Sequence, residues 1–148
     1  MEGNALVIPG SKVRAIGVSN YDIQDLKELL ENFDIAPAVN QVEFHPFLYQ
    51  HNLLKFCEKN RIQVEAYSPL TRGKRLTHPK LSKIAKKYGK TSAQILIRWS
   101  LQHGLIAIPK SIHEARIPEN REVDFQLNPE DMELLDSFNE NLRTVFLN

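Results

Sequence analysis

Cysteine is almost absent from this sequence, and no apolar run approaches the length of a membrane span. Cys57 is the only cysteine among the 148 residues, so no disulfide can form within the chain and a reducing compartment is expected. A membrane helix needs about 20 consecutive apolar residues, and the apolar piece at residues 5–8 is also too short for the core of a secretory signal. We therefore expect a cytoplasmic protein that does not bind a membrane.

A surplus of charge of either sign is also lacking. The chain has 19 basic and 18 acidic side chains and a formal net charge of +1, so its overall charge does not indicate nucleic acid or an anionic membrane as the main partner. A composition of 42% hydrophobic and 25% charged residues is typical of a soluble globular protein. The length is enough for one domain with a buried core.

What the sequence does contain is an alternation of strand and helix patterns. Strand-like segments cover residues 13–20, 38–45, 63–69 and 105–111, and each is followed by one or two segments with apolar residues at helical spacing. This alternation predicts an α/β fold of right-handed β/α units around a parallel sheet. Four such units make either a small open sheet or about half of a (β/α)8 barrel, because a complete barrel takes roughly 200 residues or more.

Local signals place the ends of several helices. Asp22 is a predicted N-cap, and the segment Thr91–Gln94 has the pattern of a capping box. Gly89 is a predicted helix stop. Asn128 and the proline after it predict the start of the last helix.

The fourth strand ends in residues that suit a phosphate. Its last residues are Lys110 and Ser111, and a helical segment with Arg116 follows closely. A lysine charge, a hydroxyl, a guanidinium and the free N–H groups at a helix start can together bind a phosphate. Parallel α/β folds also place their ligands at this end of the sheet. The alternative interpretation is a strand followed by an ordinary solvated loop.

Three polar residues in the second strand also need partners. Asn40, Gln41 and Glu43 lie in a segment expected to be buried, where an unpaired polar group costs roughly 1–3 kcal/mol. Either these side chains satisfy each other and the neighbouring strands, or Gln41 points to the carboxyl end of the sheet and binds a ligand amide.

The ends of the other strands allow two interpretations each. Ser19 and Asn20 suit a strand exit followed by a helix cap, and they also suit a ligand contact. Tyr67 is either a core aromatic at the rim of the sheet or a stacking surface for an aromatic ligand. The basic segment 72–75 either folds over a pyrophosphate or forms a solvated turn. His45, before a proline, is interpreted as a structural strand exit.

Taken in order, these motifs resemble the aldo-keto reductases. The matching segments are Gly17–Asn20, Asn40–Pro46, Ala66–Leu70, and Ile108–Ser111 with Arg116, Glu119 and Asn120. The resemblance covers about residues 12–143 and corresponds to the family's strands five to eight. It implies parallel β/α units that form about half of a TIM barrel. On this basis residues 12–148 are expected to form a single half-barrel domain, with residues 1–11 as an unmatched leader.

The resemblance also implies NADP(H) as the cofactor and a role for each matched residue in holding it. The implied contacts are, for the nicotinamide, Ser19, Asn20, Gln41 and Tyr67; for the pyrophosphate path, Ser68, Leu70 and Arg72; for the 2′-phosphate, Lys110, Ser111 and Arg116; and for the adenine, Glu119 and Asn120. The residue types agree with this, because a lysine, a hydroxyl and an arginine around one anion favour NADPH over NADH.

Catalytic residues are the part of the family pattern that this sequence does not match. The family's tetrad of aspartate, tyrosine, lysine and histidine lies on strands two to four of the barrel, and no segment here resembles those strands. We therefore predict no catalytic residue, and no metal ligand is indicated. Pro118 stands at a position that is usually not proline in the family, and we expect it to alter the start of the adenine-side helix.

The resulting hypothesis is the cofactor-binding C-terminal half of an NADPH-dependent oxidoreductase of aldehydes and ketones, not catalytically competent alone. The alternatives are a non-catalytic NADP(H)-binding or protein-interaction module and a truncated reductase product without independent activity. In all three cases the strand edges near residues 13–18 and 105–108 predict self-association or a partner chain that covers them.

Overall fold

The structure is a computed structural model that describes residues 13–145. Its elements in chain order are β1 (Gly17–Ser19), α1 (Ile23–Asn32), β2 (Val39–Glu43), α2 (His51–Lys59), β3 (Gln63–Tyr67), a 3₁₀ turn (Thr71–Gly73), α3 (Pro79–Tyr88), α4 (Ser92–Gln102), β4 (Ile106–Ala107), α5 (Arg116–Arg121) and α6 (Pro129–Asp136). In this range no helix is both long and apolar enough to cross a membrane.

The four strands form one parallel sheet in the order β1-β2-β3-β4. In the pairing of β1 with β2, Gly17 lies opposite Val39 and Ser19 lies opposite Gln41. A Cβ atom added at Gly17 would lie 3.2 Å from the carbonyl oxygen of Val39, so glycine allows this close approach. Helices follow β1, β2 and β3, which confirms the predicted α/β fold of β/α units.

The chain divides into two compact units, and the first comprises residues 13–42 and 50–65. Helix α1 begins at the predicted cap: the Asp22 carboxylate accepts hydrogen bonds from the backbone N–H groups of Gln24 at 2.7 Å and Asp25 at 2.9 Å. The Asp25 carboxylate in turn accepts from the Asp22 N–H at 3.0 Å, which completes a capping box. The core of this unit is made by the buried faces of α1 and α2 and by β2 and β3. Its fully or almost fully buried side chains include Leu26, Leu29, Leu53, Leu54, Cys57 and Val64.

The second unit comprises residues 43–49 and 66–145. Its centre is Trp99 on α4, which is fully buried. The Trp99 ring lies 5.9 Å from the Phe44 ring and 5.3 Å from the Tyr49 ring. Its indole N–H donates to the Asp136 carboxylate at 2.7 Å. The one polar atom of this buried side chain therefore has a hydrogen-bond partner.

The predicted ends of α3, α4 and α6 are confirmed. Gly89 ends α3 in the left-handed conformation with φ +61°, which glycine adopts without a Cβ penalty. Thr91 and Gln94 form the predicted capping box at the start of α4. The Asn128 side chain accepts a hydrogen bond from the Asp131 N–H at 2.8 Å at the start of α6.

Two strands are shorter than predicted. The first was expected over residues 13–20 but pairs only over Gly17–Ser19, and Asn20 leaves the strand with φ 60°, a conformation that asparagine tolerates. The fourth was expected over residues 105–111 but has only the two residues Ile106–Ala107. Pro109 has no N–H to donate to a ladder, and Lys110 and Ser111 therefore lie in a loop.

The α6 helix buries an acidic side chain. Leu135 is fully buried and Met132 is half-buried, and Asp131 is only 7% exposed. The Asp131 carboxylate accepts hydrogen bonds from the Lys87 ammonium at 2.7 Å and the Tyr88 hydroxyl at 2.6 Å. Burial alone would raise the pKa of Asp131, but these two hydrogen bonds outweigh it and lower that pKa. Its partners on α3 thus allow the buried aspartate.

Candidate functional site

The end of β1 and the middle of β2 bring Ser19, Asn20 and Gln41 together in the first unit. The Ser19 hydroxyl donates to the Gln41 carbonyl oxygen at 3.0 Å, and the Asn20 amide donates to the Ser19 hydroxyl at 3.2 Å. Ser19 and Asn20 are exposed, and Gln41 is half-buried. The Gln41 side-chain amide donates to the Glu65 carboxylate on β3, so that carboxylate orients the amide.

The polar residues of the second strand find their partners outside that strand. The buried Asn40 amide donates to the Tyr21 carbonyl oxygen at 2.9 Å, and Gln41 bonds to β3. Of the two interpretations, pairing with neighbouring segments describes the Asn40 amide nitrogen and the Gln41 side chain, whereas the buried Asn40 Oδ1 atom has no hydrogen-bond partner among residues 13–145.

Glu43 holds a buried carboxylate in the second unit. Its Oε1 atom accepts from the backbone N–H of Thr144 at 2.8 Å and also from the Thr144 hydroxyl. The Val145 N–H lies 3.3 Å from Oε2, and His45 Nε2 lies 3.2 Å from Oε1. His45 is fully buried, and burial is the main cause that lowers its pKa. His45 is thus part of the structural packing at the end of β2, as predicted.

Tyr67 closes β3 and leads into the loop that carries Ser68 and Leu70. It is half-buried, and burial raises the pKa of its hydroxyl, with the nearby Glu43 charge acting in the same direction. Ser68 has φ 51°, so the chain turns sharply directly after the strand.

A cavity of about 730 Å³ opens in the second unit beyond the ends of β3 and β4. Its volume lies within the range of roughly 300–1,000 Å³ that is typical of small-molecule sites. Eight of the residues predicted to bind a cofactor line this one cavity: Ser68, Leu70, Arg72, Lys110, Ser111, Arg116, Glu119 and Asn120. Segments that are 40 residues apart in the sequence therefore meet at one site, as expected for the carboxyl ends of parallel strands.

The cavity has a positive character. Arg72, Lys110 and Arg116 are exposed cations in its lining, and Glu119 is the single carboxylate among the residues that line it. The Glu119 carboxylate accepts a hydrogen bond from the Thr91 hydroxyl at 3.0 Å. This donor set suits an anionic ligand, with Lys110 as a point charge and the two arginines as forked donors.

Sequence reasoning missed the first turn of α4 as part of the lining. Thr91, Ser92 and Ala93 line the cavity, and the N–H groups at the start of a helix have no partner inside the helix. The positive end of the helix dipole adds to the attraction for an anion. The capping-box signal placed the start of α4 correctly, but nothing local indicated that this turn faces the loop after β4.

Helix α5 carries three of the predicted residues, and Pro118 does not prevent it from forming. Pro118 is the third residue of Arg116–Arg121, where its missing N–H removes no intrahelical bond. The Ala115 position provides no side-chain cap. Among residues 13–145 no three His, Cys, Asp or Glu side chains are grouped as metal ligands would be.

Comparison with known proteins places this geometry in a family context. The model of the "Aldo/keto reductase family" matches residues 10–140. Glyoxal reductase of Bacillus subtilis is 50% identical over 133 residues, which cover 89% of this chain and 48% of that protein. The chain thus spans about half the length of the curated relatives it matches.

Solved structures give the same result. An aldo-keto reductase, MGS-M4, from a Medee basin deep-sea metagenome library is 46% identical with a TM-score of 0.87, over 92% of this chain and 51% of that one. The aldo-keto reductase AKR2E5 of the silkworm Bombyx mori, complexed with NADPH, is 39% identical with a TM-score of 0.82, over 89% of this chain and 44% of that one. The predicted half of a TIM barrel is therefore confirmed.

Proposed function

Because the chain belongs to the aldo/keto reductase family, we propose that it binds NADP(H) in the cavity of the second unit. It provides the cofactor-binding part of an NADPH-dependent oxidoreductase that acts on aldehydes or ketones. The bound cofactor supplies the hydride for that reaction, and the protein supplies binding and orientation. The proposal concerns cofactor binding by this chain, since reduction also needs a proton donor beside the carbonyl.

The observation that carries the proposal is the convergence of eight predicted residues on one cavity of suitable volume. NADPH is an elongated polyanion with a pyrophosphate in the middle and a separate 2′-phosphate on the adenosine ribose. The cavity lining offers three cations and one carboxylate. Ser68, Leu70 and Arg72 follow the path of the pyrophosphate in this assignment. The two first residues of α4, Ser92 and Ala93, add free N–H groups near that path.

The preference for NADPH over NADH is assigned to the loop after β4. Lys110, Ser111 and Arg116 hold the 2′-phosphate of the adenosine ribose, and Glu119 and Asn120 contact the adenine. The Ser111 hydroxyl is positioned by its own loop, because it accepts from the His113 N–H at 3.1 Å and donates to the His113 carbonyl oxygen at 3.0 Å. The bond from the His113 N–H keeps the hydroxyl oxygen in place, and the one hydroxyl hydrogen turns from the His113 carbonyl oxygen to the phosphate when the cofactor binds.

The nicotinamide contacts are assigned to four further residues. Ser19, Asn20 and Gln41 hold the carboxamide, and Tyr67 stacks on the ring. Support for the first three comes from the hydrogen bonds among them at the end of β1 and the middle of β2, with the Gln41 amide oriented by Glu65. Support for Tyr67 comes from its half-buried position next to the Ser68 turn.

Association with a second chain, through the strand edges, is part of the same proposal. Strand β4 stands at one end of the strand order, and Ile106 and Ile108 are 43% and 41% exposed. Exposed apolar side chains on an edge strand favour pairing with another polypeptide. A cytoplasmic location stays a prediction.

A titration of NADPH and NADH against the 148-residue chain, followed by cofactor fluorescence, tests the proposal. We expect saturable binding with a lower Kd for NADPH than for NADH. Lys110→Ala and Arg116→Ala should each raise the Kd for NADPH about tenfold or more, because a hydrogen bond to a charged group contributes roughly 1.5–3 kcal/mol. Lys83→Ala is the matched control, since Lys83 is an exposed lysine of α3 outside the cavity lining.

The results that contradict the proposal are specific. A chain with a cooperative unfolding transition that binds neither nucleotide would exclude the cofactor role. If Lys83→Ala and Lys110→Ala lost the same NADPH affinity, the loss would come from the lower positive charge of the whole chain. The cavity lining would then have no specific role in binding.

A further inference from the structure

Helix α5 has almost no packing of its own to fix its position. None of its six residues is buried, and no side chain caps its N-terminus. Such a short helix is not stable by itself in water. Yet it carries Arg116, Glu119 and Asn120, which all line the cavity. Its placement must therefore come from bonds made by a neighbouring element.

The neighbouring element is the polar face of α4. Gln94, Arg98 and Gln102 are spaced four residues apart, so they lie along one face of the helix. Each donates a side-chain hydrogen bond to a backbone carbonyl in residues 119–127. The distances are 2.9 Å from Gln94 to Glu119, 3.3 Å from Arg98 to Val123 and 3.1 Å from Gln102 to Leu127.

Gln94 is the member of this row that holds α5 itself. Its side chain is 3% exposed and does not line the cavity. The Nε2 group donates to the carbonyl oxygen of Glu119 at 2.9 Å and lies 3.3 Å from that of Glu122. The Oε1 atom accepts from the Thr91 N–H at 3.0 Å. One amide thus joins the start of α4 to the end of α5.

We propose that Gln94 is a positioning residue for nucleotide binding, which fixes α5 against the first turn of α4. Through α5 it sets where Arg116 and Glu119 stand in the cavity, and so it sets the preference for a ligand with a 2′-phosphate. This inference rests on the proposed function. It adds that affinity and selectivity depend on a buried amide that does not contact the ligand.

Two substitutions separate this role from a merely structural one. Gln94→Glu keeps an oxygen acceptor for the Thr91 N–H, and glutamate is a favoured residue at this capping-box position, so α4 keeps its start. The new carboxylate cannot donate, and it faces the carbonyl oxygens of Glu119 and Glu122. In Gln94→Met the new side chain has a similar length and no charge. It can neither accept from the Thr91 N–H nor donate to the carbonyl oxygens of Glu119 and Glu122.

Gln102→Met is the matched control on the same helix face. The Gln102 amide donates to the Leu127 carbonyl oxygen and accepts from the Leu127 N–H at 2.7 Å. It makes two backbone hydrogen bonds, against three for Gln94, and lies about 12 Å further along the helix. A purely structural role predicts the same behaviour for both glutamines.

The experiment measures Kd for NADPH and NADH and the unfolding midpoint of the four proteins. We expect both Gln94 variants to reduce the NADPH-to-NADH preference about fivefold or more. The preference should stay within twofold of the parent in Gln102→Met, although its unfolding midpoint falls. Amide hydrogen exchange of residues 116–121, without ligand, should be faster in the Gln94 variants alone.

Three outcomes overturn the inference. An unchanged preference in both Gln94 variants would show that α5 does not depend on this amide. A loss confined to Gln94→Glu, and removed at high salt, would be an effect of the added charge. An equal loss in Gln102→Met would be a general effect of stability. If the parent chain binds no NADPH, the proposed function fails first, and the inference fails with it.

Discussion

Two segments of the second unit are held in place by polar side chains from other elements, and they are held in different ways. Residues 139–145 have no helix or strand, yet Thr144 among them is 3% exposed. Their anchor is the buried carboxylate of Glu43. Residues 116–127 consist of α5 and a loop, and their anchors on α4 are two neutral amides and one arginine.

The difference is one of strength and of response to pH. Burial tends to raise the pKa of Glu43, but the hydrogen bonds from Thr144, His45 and Val145 outweigh it and lower that pKa. The charged form is therefore the one that the fold stabilises. Hydrogen bonds to a charged group are about twice as strong as those between neutral groups, but the contribution of the charge is lost when the carboxylate is protonated. The amides Gln94 and Gln102 do not titrate.

The largest expected effect is the removal of the carboxylate anchor. Glu43→Ala leaves the Thr144 N–H and hydroxyl and the Val145 N–H without an acceptor in a buried position. We expect the free energy of unfolding to fall by about 3–5 kcal/mol, measured by urea denaturation with Trp99 fluorescence as the probe. The control is Glu58→Ala, because Glu58 forms an exposed pair with Lys55 and should cost less than about 1 kcal/mol.

A small loss in Glu43→Ala would break the comparison. It would mean that residues 139–145 are held by their other bonds, among them those to the Phe47 carbonyl oxygen from the Glu140 N–H at 3.2 Å and the Leu142 N–H at 2.9 Å.

The next effect is a pH dependence that only one of the two segments should have. Because the folded pKa of Glu43 lies below the ordinary glutamate value of 4.5, its contribution to stability is complete above about pH 4.5. It is lost as pH falls through the lower folded pKa. The destabilisation caused by Glu43→Gln should therefore be full at pH 7 and shrink on acidification below 4.5. The destabilisation caused by Gln94→Met should stay constant over the same interval.

His45 acts in the same direction and begins at higher pH. Its folded pKa is lowered from 6.5, so below about pH 6.5 the unfolded chain binds more protons and the folded state loses stability. Because the hydrogen bond to Glu43 and the Glu43 charge both raise the pKa of His45, Glu43→Gln also changes this contribution, and the comparison isolates the carboxylate only when His45→Gln is present in both proteins. A Gln94→Met effect that followed pH in the same way would contradict the distinction between the anchors.

How much of this the sequence could predict depends on how local each signal is. Asp22, Gly89, Thr91 and Asn128 mark helix ends correctly because a cap is formed by residues within four positions of each other. The strands at residues 13–20 and 105–111 were predicted too long, since the length of a strand depends on its neighbours rather than on its own residues. The local pattern shows that a strand exists, and the pairing decides where it stops.

The candidate site follows the same rule. Residues that follow strand ends were predictable, since all parallel strands end at the same edge. Of the eight predicted residues that line the cavity, five follow β3 or β4 and three lie on α5. The residues that anchor the two segments could not be predicted from the sequence. Glu43 and Thr144 are 101 residues apart, and Gln94 was visible only as part of a capping box. Its second contact, to α5, depends on how α4 and α5 pack, which no local pattern contains.

The smallest expected effect concerns an ion pair on the surface of the same 139–145 segment. The Arg75 Nε lies 2.8 Å from the Glu140 carboxylate, and the two side chains are 34% and 45% exposed. Water screens such a pair, and the entropic cost of holding two long side chains in place offsets much of the attraction.

Glu140→Gln keeps the shape of the side chain and leaves Arg75 at the Phe47 ring, 5.9 Å from its centroid. We expect a loss of about 0.5 kcal/mol in urea denaturation that disappears in 1 M salt, where the screening length is about 3 Å. If this variant lost as much as Glu43→Ala, the surface pair would be the anchor of the segment, and burial of the carboxylate would not explain the contrast with α5.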